Sequence, residues 1–243
     1  MKLTTVLNTV ALVSLGSLGC DSSGPDAAGL ALIAVTVDQP AGAAELAVTD
    51  DADTEFTLTT ASLEVRDIEL DLPEGTLCAD VEADLVGATC SDETIKIDGP
   101  FTIDLVAATS EPTLDDIELP ALSYRRLDVR VDDNSDDVSF AALADFELDG
   151  APVVLDLSLG FNEDIRVEGG DGVAVDADTD LVVEFVASDW LSGIDIAGCI
   201  EDGDLTVDAG TVSVSDDSSS GSCSDIENTI KDNMKNSGRL DRD

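Results

Sequence analysis

From Val138 to Leu148 the apolar side chains keep one parity: Val138, Phe140, Ala142, Ala144, Phe146 and Leu148. Period two sends alternate side chains to opposite faces of a strand, whereas a helix repeats its apolar positions every three or four residues. This run therefore reads as a half-buried strand. Asp149-Gly150 follows, a dipeptide suited to the positive-φ positions of a tight hairpin turn. Leu155, Leu157, Leu159 and Phe161 carry the alternation back. A lone hairpin is marginal in water, so this stretch commits the chain to a core built from sheets.

The remaining chain repeats the pattern in shorter pieces. Residues 30–37 (LALIAVTV) form a first strand, followed by a loop through Pro40 and Gly42. In SLEVRDIELDLP, Leu63 and Val65 share one parity and Ile68, Leu70 and Leu72 the other, which requires an inserted residue and places a bulge or bend at Arg66-Asp67. Ile95, Ile97, Phe101, Ile103 and Leu105 hold one parity across Gly99-Pro100. Proline cannot donate to a ladder, so this is an edge position or a break between two strands. Leu127, Val129 and Val131 point inward, and Arg126, Asp128 and Arg130 outward, where arginines and carboxylates form cross-strand pairs or, alternatively, an anion-binding patch. Further strands fall at 164–168, 172–176, 181–187, 204–208 and 211–215, and Trp190 in SDWLSGIDI marks a helical turn that plugs one end of the core.

Ser224 to Glu227 reads as a capping box, Ile226, Ile230 and Met234 as the buried stripe of a helix, and Gly238 as its stop. The expectation is an all-β, antiparallel β-sandwich of about nine or ten strands with one short C-terminal helix. It forms a single domain over residues 30–243, in which aliphatic residues fill the core because aromatics are only 3% of the chain.

The chain opens Met1-Lys2, then runs apolar from Leu3 to Leu18. That is the layout of a secretory leader and is short for a membrane span. Leu15-Gly16-Ser17-Leu18-Gly19-Cys20 resembles the bacterial lipobox, with Ser17 where Leu is usual. The resemblance implies a leader over 1–19, a diacylglycerol on Cys20 and a tether over 20–29 that extends about 30 Å. Ordinary cleavage with Cys20 as a plain thiol is the alternative.

Five cysteines are present. A lipidated Cys20 leaves Cys78, Cys90, Cys199 and Cys223, which allow three pairings. Cys78–Cys90 and Cys199–Cys223 are favoured because each pair flanks a short loop-like stretch. The rival, a zinc site, lacks CxxC spacing and has no histidine to draw on.

There are 54 Asp and Glu against 11 Lys and Arg, a net charge of −43. Such a surface disfavours nucleic acid and bare anionic membranes. It repels itself at low ionic strength, and the Debye length shrinks from about 10 Å at 0.1 M salt to about 3 Å at 1 M. The composition thus suits saline surroundings.

With no histidine, Ser-His-Asp and Cys-His sites are excluded, as is every His-ligated metal. There is no P-loop and no GxGxxG. Asp176, Asp178 and Asp180 have the alternation of a Ca²⁺ loop, but no glycine follows at the sixth position and Ala187 stands at the twelfth. In a chain this acidic about two or three such triplets arise by chance. Asp50, Asp51 and Asp53, or the run from Asp132 to Asp137, are equivalent candidates. No pair of carboxylates stands out for glycosidase chemistry, and no enzymatic role is expected.

Several stretches resemble a family of uncharacterised bacterial lipoproteins with a β-sandwich domain: LAVTDD, ASLEVRDIELDLP, GPFTIDLVAATSEPTLDDIELPALSYRRLDVRV and ENTIKDNMKNSGRL. The resemblance implies a fold and an envelope location, and no functional residues. The sequence therefore reads as a non-enzymatic binding or structural module, lipid-anchored to a bacterial membrane, with an envelope protein or polysaccharide as partner. A calcium-dependent adhesion or carbohydrate-recognition module is the alternative.

Overall fold

The computed structural model describes residues 30–31, 33–37, 46–132, 137–167, 173–175, 181–216 and 218–242. Strands β1 (Leu30–Ala31), β2 (Ile33–Val37) and β3 (Leu46–Thr49) lead into β4 (Glu55–Asp71). An excursion follows, made of α1 (Cys78–Val81), a 3₁₀ turn (Glu82–Asp84) and β5 (Thr89–Ser91). Next come β6 (Thr94–Asp104), β7 (Thr109–Glu111), β8 (Leu119–Pro120), β9 (Ser123–Tyr124) and β10 (Arg126–Val131). The hairpin is β11 (Phe140–Leu148) and β12 (Ala151–Leu159), followed by β13 (Asp164–Val167), β14 (Val173–Ala174) and β15 (Leu181–Phe185). A 3₁₀ turn (Ala187–Asp189), α2 (Ile196–Glu201), β16 (Val207–Asp208), β17 (Thr211–Ser215), α3 (Ile226–Ser237) and β18 (Gly238–Arg242) complete the described chain.

The fold is all-β and sandwich-like, and β4 is its spine. The first part of β4 lies between β3 and β11, and beyond β11 the sheet continues through β12, β17 and β16. The second part lies between β6 and β10, with β13 outside β10. The parity change read in the sequence has its physical cause here. Val131 pairs with Val65 and Arg130 with Asp67, so Arg66 is the extra residue of a bulge. Leu63 and Val65 before it, and Ile68, Leu70 and Leu72 after it, are thereby all buried.

Across the bulge β6 runs unbroken through Gly99-Pro100. β5 borders β6 at residues 94–96 and β7 borders it at 102–104. Pro100 falls between these two partners, where its missing N–H removes no ladder bond. It marks a local edge and not a break.

Three expectations change. First, the sheets are mixed, because β12 pairs with β17 and β15 with β2 in parallel. Alternation reports which face a residue occupies but carries nothing about strand direction. Second, the described residues form eighteen strands, more than expected, and the two-residue β8 falls where alternation has too few positions to register. Third, the chain does not close on its helix. Gly238 is extended, not left-handed, and leads directly into β18, which pairs with β15. A Cβ at Gly238 would lie 3.0 Å from Ile165 Cγ2, so the glycine serves close approach to β13.

Trp190 does plug the core. It is almost fully buried, meets Phe140 edge-on with ring centroids 5.3 Å apart, and donates from Nε1 to Ser237 Oγ at 3.2 Å. Asn233 Nδ2 on α3 donates to the carbonyls of Trp190 and Ser192. The Tyr124 hydroxyl donates to the Pro120 carbonyl at 2.8 Å, and burial pushes its pKa up. The resulting buried O–H···O=C bond resembles the tyrosine corner of other sandwiches. The disulfides join Cys78 to Cys90 and Cys199 to Cys223, the two pairs that flank short stretches.

Candidate functional site

Two surfaces gather charged and polar side chains. The first is the outer face of β6, β4, β10 and β13. The strand registers set Arg126 opposite Asp71, Arg130 opposite Asp67, Glu69 opposite Lys96, and Asp128 opposite Arg166. Asp67 lies within 3.1 Å of Arg66 Nε, 3.3 Å of Lys96 Nζ and 3.4 Å of Arg130 Nε. Asp128 takes Arg126 Nε at 2.7 Å and Arg166 Nε at 2.9 Å. These two aspartates are only 2% exposed although they are on the outward face, because the long cationic side chains lie over them. Asp67 Oδ1, Arg126 Nε and Arg130 Nε lack hydrogen-bond alignment. Charge proximity, more than directed bonding, holds those contacts.

The arginine side chains of this lattice remain 30–48% exposed, so each of their pairs contributes about 0.2–1 kcal/mol at most. Arg66, Lys96, Arg126, Arg130 and Arg166 are ion-paired with Asp67, Glu69, Asp71, Asp98, Asp128, Asp132 and Asp164. An approaching anion meets more carboxylates than cations, so the face is structural.

Glu69 is the strained member. Burial raises its pKa, Arg130 at 2.7 Å opposes the shift, and Asp67 adds to it. A carboxyl whose folded pKa exceeds its unfolded one binds its proton more tightly when folded. Its contribution is fully present below the unfolded pKa and is lost as pH rises through the folded pKa. Glu69→Gln is therefore expected to flatten the stability loss between the ordinary glutamate range and the raised value. Its stability at neutral pH should equal or exceed that of the parent. Urea melts at pH 4 and pH 7 check this.

The second surface is a cleft of about 310 Å³ between α2 and α3, backed by the Cys199–Cys223 disulfide. Ile194 and Ile226 give it apolar wall, and Asp195, Asp202, Asp225 and Thr229 give it polar rim. Asp195 caps α2 by accepting from Gly198 N–H at 2.7 Å. Asp204 Oδ2 accepts from the backbone N–H and the hydroxyl of Ser222, both at 2.8 Å, and so holds the 3₁₀ turn Gly221–Cys223 at the cleft.

The cleft is seated on the β3–β4 turn. Asp50 accepts from Ala52, Thr54 and Ile196 N–H groups, and Asp51 accepts from Gly193 N–H at 2.9 Å. Of the three aspartates weighed for calcium there, Asp50 and Asp51 are engaged with backbone donors, and Asp53 is exposed. In chemical terms the cleft can seat a small polar or cationic group against an apolar wall.

Of the other sequence candidates, Cys20, Asp176, Asp178, Asp180 and residues 133–136 lie outside the described residues. Asp132 accepts from Asn162 Nδ2 and pairs with Arg66. Among the described residues no group of three or more His, Cys, Asp or Glu side chains is arranged to hold a metal ion. The capping box at Ser224 is not formed. Asp225 is the N-cap residue, and Glu227 turns away to accept from Ser219 Oγ at 2.7 Å. The cleft itself was not read from the sequence. Its trace is a disulfide pair whose cysteines fall beside two aspartates at helix starts, Asp195 and Asp225.

Comparison with protein-family models, curated proteins and solved structures finds no match to this chain.

Ionic strength acts on these surfaces in opposite directions. Screening weakens the lattice by tenths of a kcal/mol per pair, while it relieves repulsion summed over a net charge of −43. The second effect is larger, so the melting temperature is expected to rise between 0.1 and 2 M NaCl. A flat or falling melt would contradict this.

Proposed function

We propose that the chain is a non-enzymatic binding or structural module of a bacterial cell envelope, held to the membrane by fatty acyl chains on Cys20. The observation that carries this reading is the pair of disulfides, Cys78–Cys90 and Cys199–Cys223. Such bonds persist in exported proteins and are rare in a reducing cytosol. They account for four of the five cysteines, and the fifth is the lipobox-like Cys20. Among the described residues no helix is long and apolar enough to cross a membrane, so a lipid would supply the attachment. Two or more acyl chains suffice for stable anchoring. The likeness to envelope lipoproteins agrees with this location. The α2–α3 cleft is the proposed binding surface, with a small polar or cationic group of an envelope protein or polysaccharide as occupant.

The test is fractionation of cells that express the full chain or Cys20→Ser. The parent is expected in the membrane fraction, extractable with detergent but not with high salt. The variant is expected to lose membrane attachment. Equal partitioning of the two would refute the anchor.

A further inference from the structure

We infer that the disulfide-closed excursion, residues 77–90, is the surface that rests on the lipid bilayer, with Leu77 and Val86 as its contact residues. The inference rests on the proposed anchor at Cys20 and adds an orientation to it.

Three observations converge. First, Leu77 and Val86 are the two most exposed large apolar side chains among the described residues, at 55% and 47%. Cys78–Cys90 closes the loop that contains Val86 and begins immediately after Leu77. Second, the described chain starts beside this loop. Leu30 pairs with Pro120 and Ala31 with Leu119, while Glu118 exchanges backbone hydrogen bonds with Val86. One strand edge cannot hold both neighbours, so residues 118–120 lie between Val86 and β1. That places Val86 two strand spacings, about 10 Å, from the point where the chain leaves for Cys20. Third, nine residues separate Leu30 from Cys20, a reach of about 30 Å if fully extended. Within that reach of the bilayer, the exposed Val86 beside β1 and Leu77 beside the disulfide select the surface that comes to rest.

The excursion also exposes Asp80, Glu82 and Asp84, with Glu74 exposed just before it. They oppose anionic headgroups and limit the contact to a shallow one on a neutral surface. The α2–α3 cleft is seated on the β3–β4 turn, at the Glu55 end of β4, whereas the excursion follows Asp71 at its other end. This orientation turns the cleft away from the bilayer.

The experiment uses full-length acylated protein reconstituted into phosphatidylcholine vesicles with bromine at shallow acyl positions. Leu77→Trp and Val86→Trp each add one indole to the buried Trp190, and Leu143→Trp on β11 adds one at an exposed position away from the excursion. Flotation with the vesicles reports the anchor independently of orientation. The inference expects all variants to float, with the added emission at 77 and 86 strongly quenched and that at 143 unchanged. Flotation with no more quenching at 77 and 86 than at 143 would overturn the orientation and leave the anchor standing. Failure of the parent to float would overturn the anchor and the orientation with it.

Discussion

Trp190→Ala is expected to lower stability by about 3–5 kcal/mol, the range for removal of a large aromatic from a packed core. Trp190 is 1% exposed and sits edge-on to Phe140 of the hairpin, with its indole N–H on Ser237 at the end of α3. One side chain thus joins the long hairpin to the C-terminal helix. Truncation leaves a cavity and deprives Phe140 of its partner. Ser237 keeps its bond to the Met234 carbonyl, so its hydroxyl is not stranded. For a domain of this size the loss corresponds to a fall in melting temperature of roughly 6–20 °C. Trp190→Phe keeps most of the volume and forfeits one hydrogen bond, and about 1–2 kcal/mol is expected. Urea denaturation at fixed salt measures both. A Trp190→Ala variant within 1 kcal/mol of the parent would show that the plug carries no such load.

Replacement of both Cys199 and Cys223 by Ser is expected to cost about 3.5 kcal/mol on the chain-entropy account, because the bond closes a longer loop than its counterpart. The same account gives about 3 kcal/mol for Cys78 and Cys90, which are 12 residues apart. The two losses also differ in place. Cys199–Cys223 links α2 to the segment that enters α3, so its loss loosens the cleft and the Trp190 support together. Cys78–Cys90 closes an excursion that joins the main sheet only through the short β5, and its loss should leave the Trp190 environment unchanged. Near-ultraviolet spectra of the two double variants, before and after mild reduction, separate these outcomes. Equal perturbation of Trp190 by both would contradict the assignment of the second bridge to the cleft.

Much of the fold was legible because period two is a strong signal in long strands. The β11–β12 hairpin and the bulge at Arg66 followed from which residues share a parity, as did the inward set of β10. Strand direction was not legible: Val212 and Val214 alternate identically whether β17 runs with β12 or against it. The two-residue strand β8 was invisible for lack of repeats. The helix stripe Ile226, Ile230 and Met234 was correct, but its cap was misplaced. Ser224 and Glu227 satisfy the spacing of a capping box, yet Glu227 finds Ser219 instead. The cleft was hidden for a different reason. In a chain with 54 carboxylates, the few that line a concavity look like all the others until folding brings Ile194, Ile226 and Thr229 beside them.

The chemistry of residue 20 decides whether the protein is held to a membrane by lipid. Intact-mass and peptide mass spectrometry of the protein purified from its native membranes reads it directly. The expected result is a mature N-terminus at Cys20, with mass added by a diacylglyceryl group on its sulfur, and Cys78–Cys90 and Cys199–Cys223 linked in the same molecule. A retained leader, or an unmodified thiol at Cys20, would contradict it.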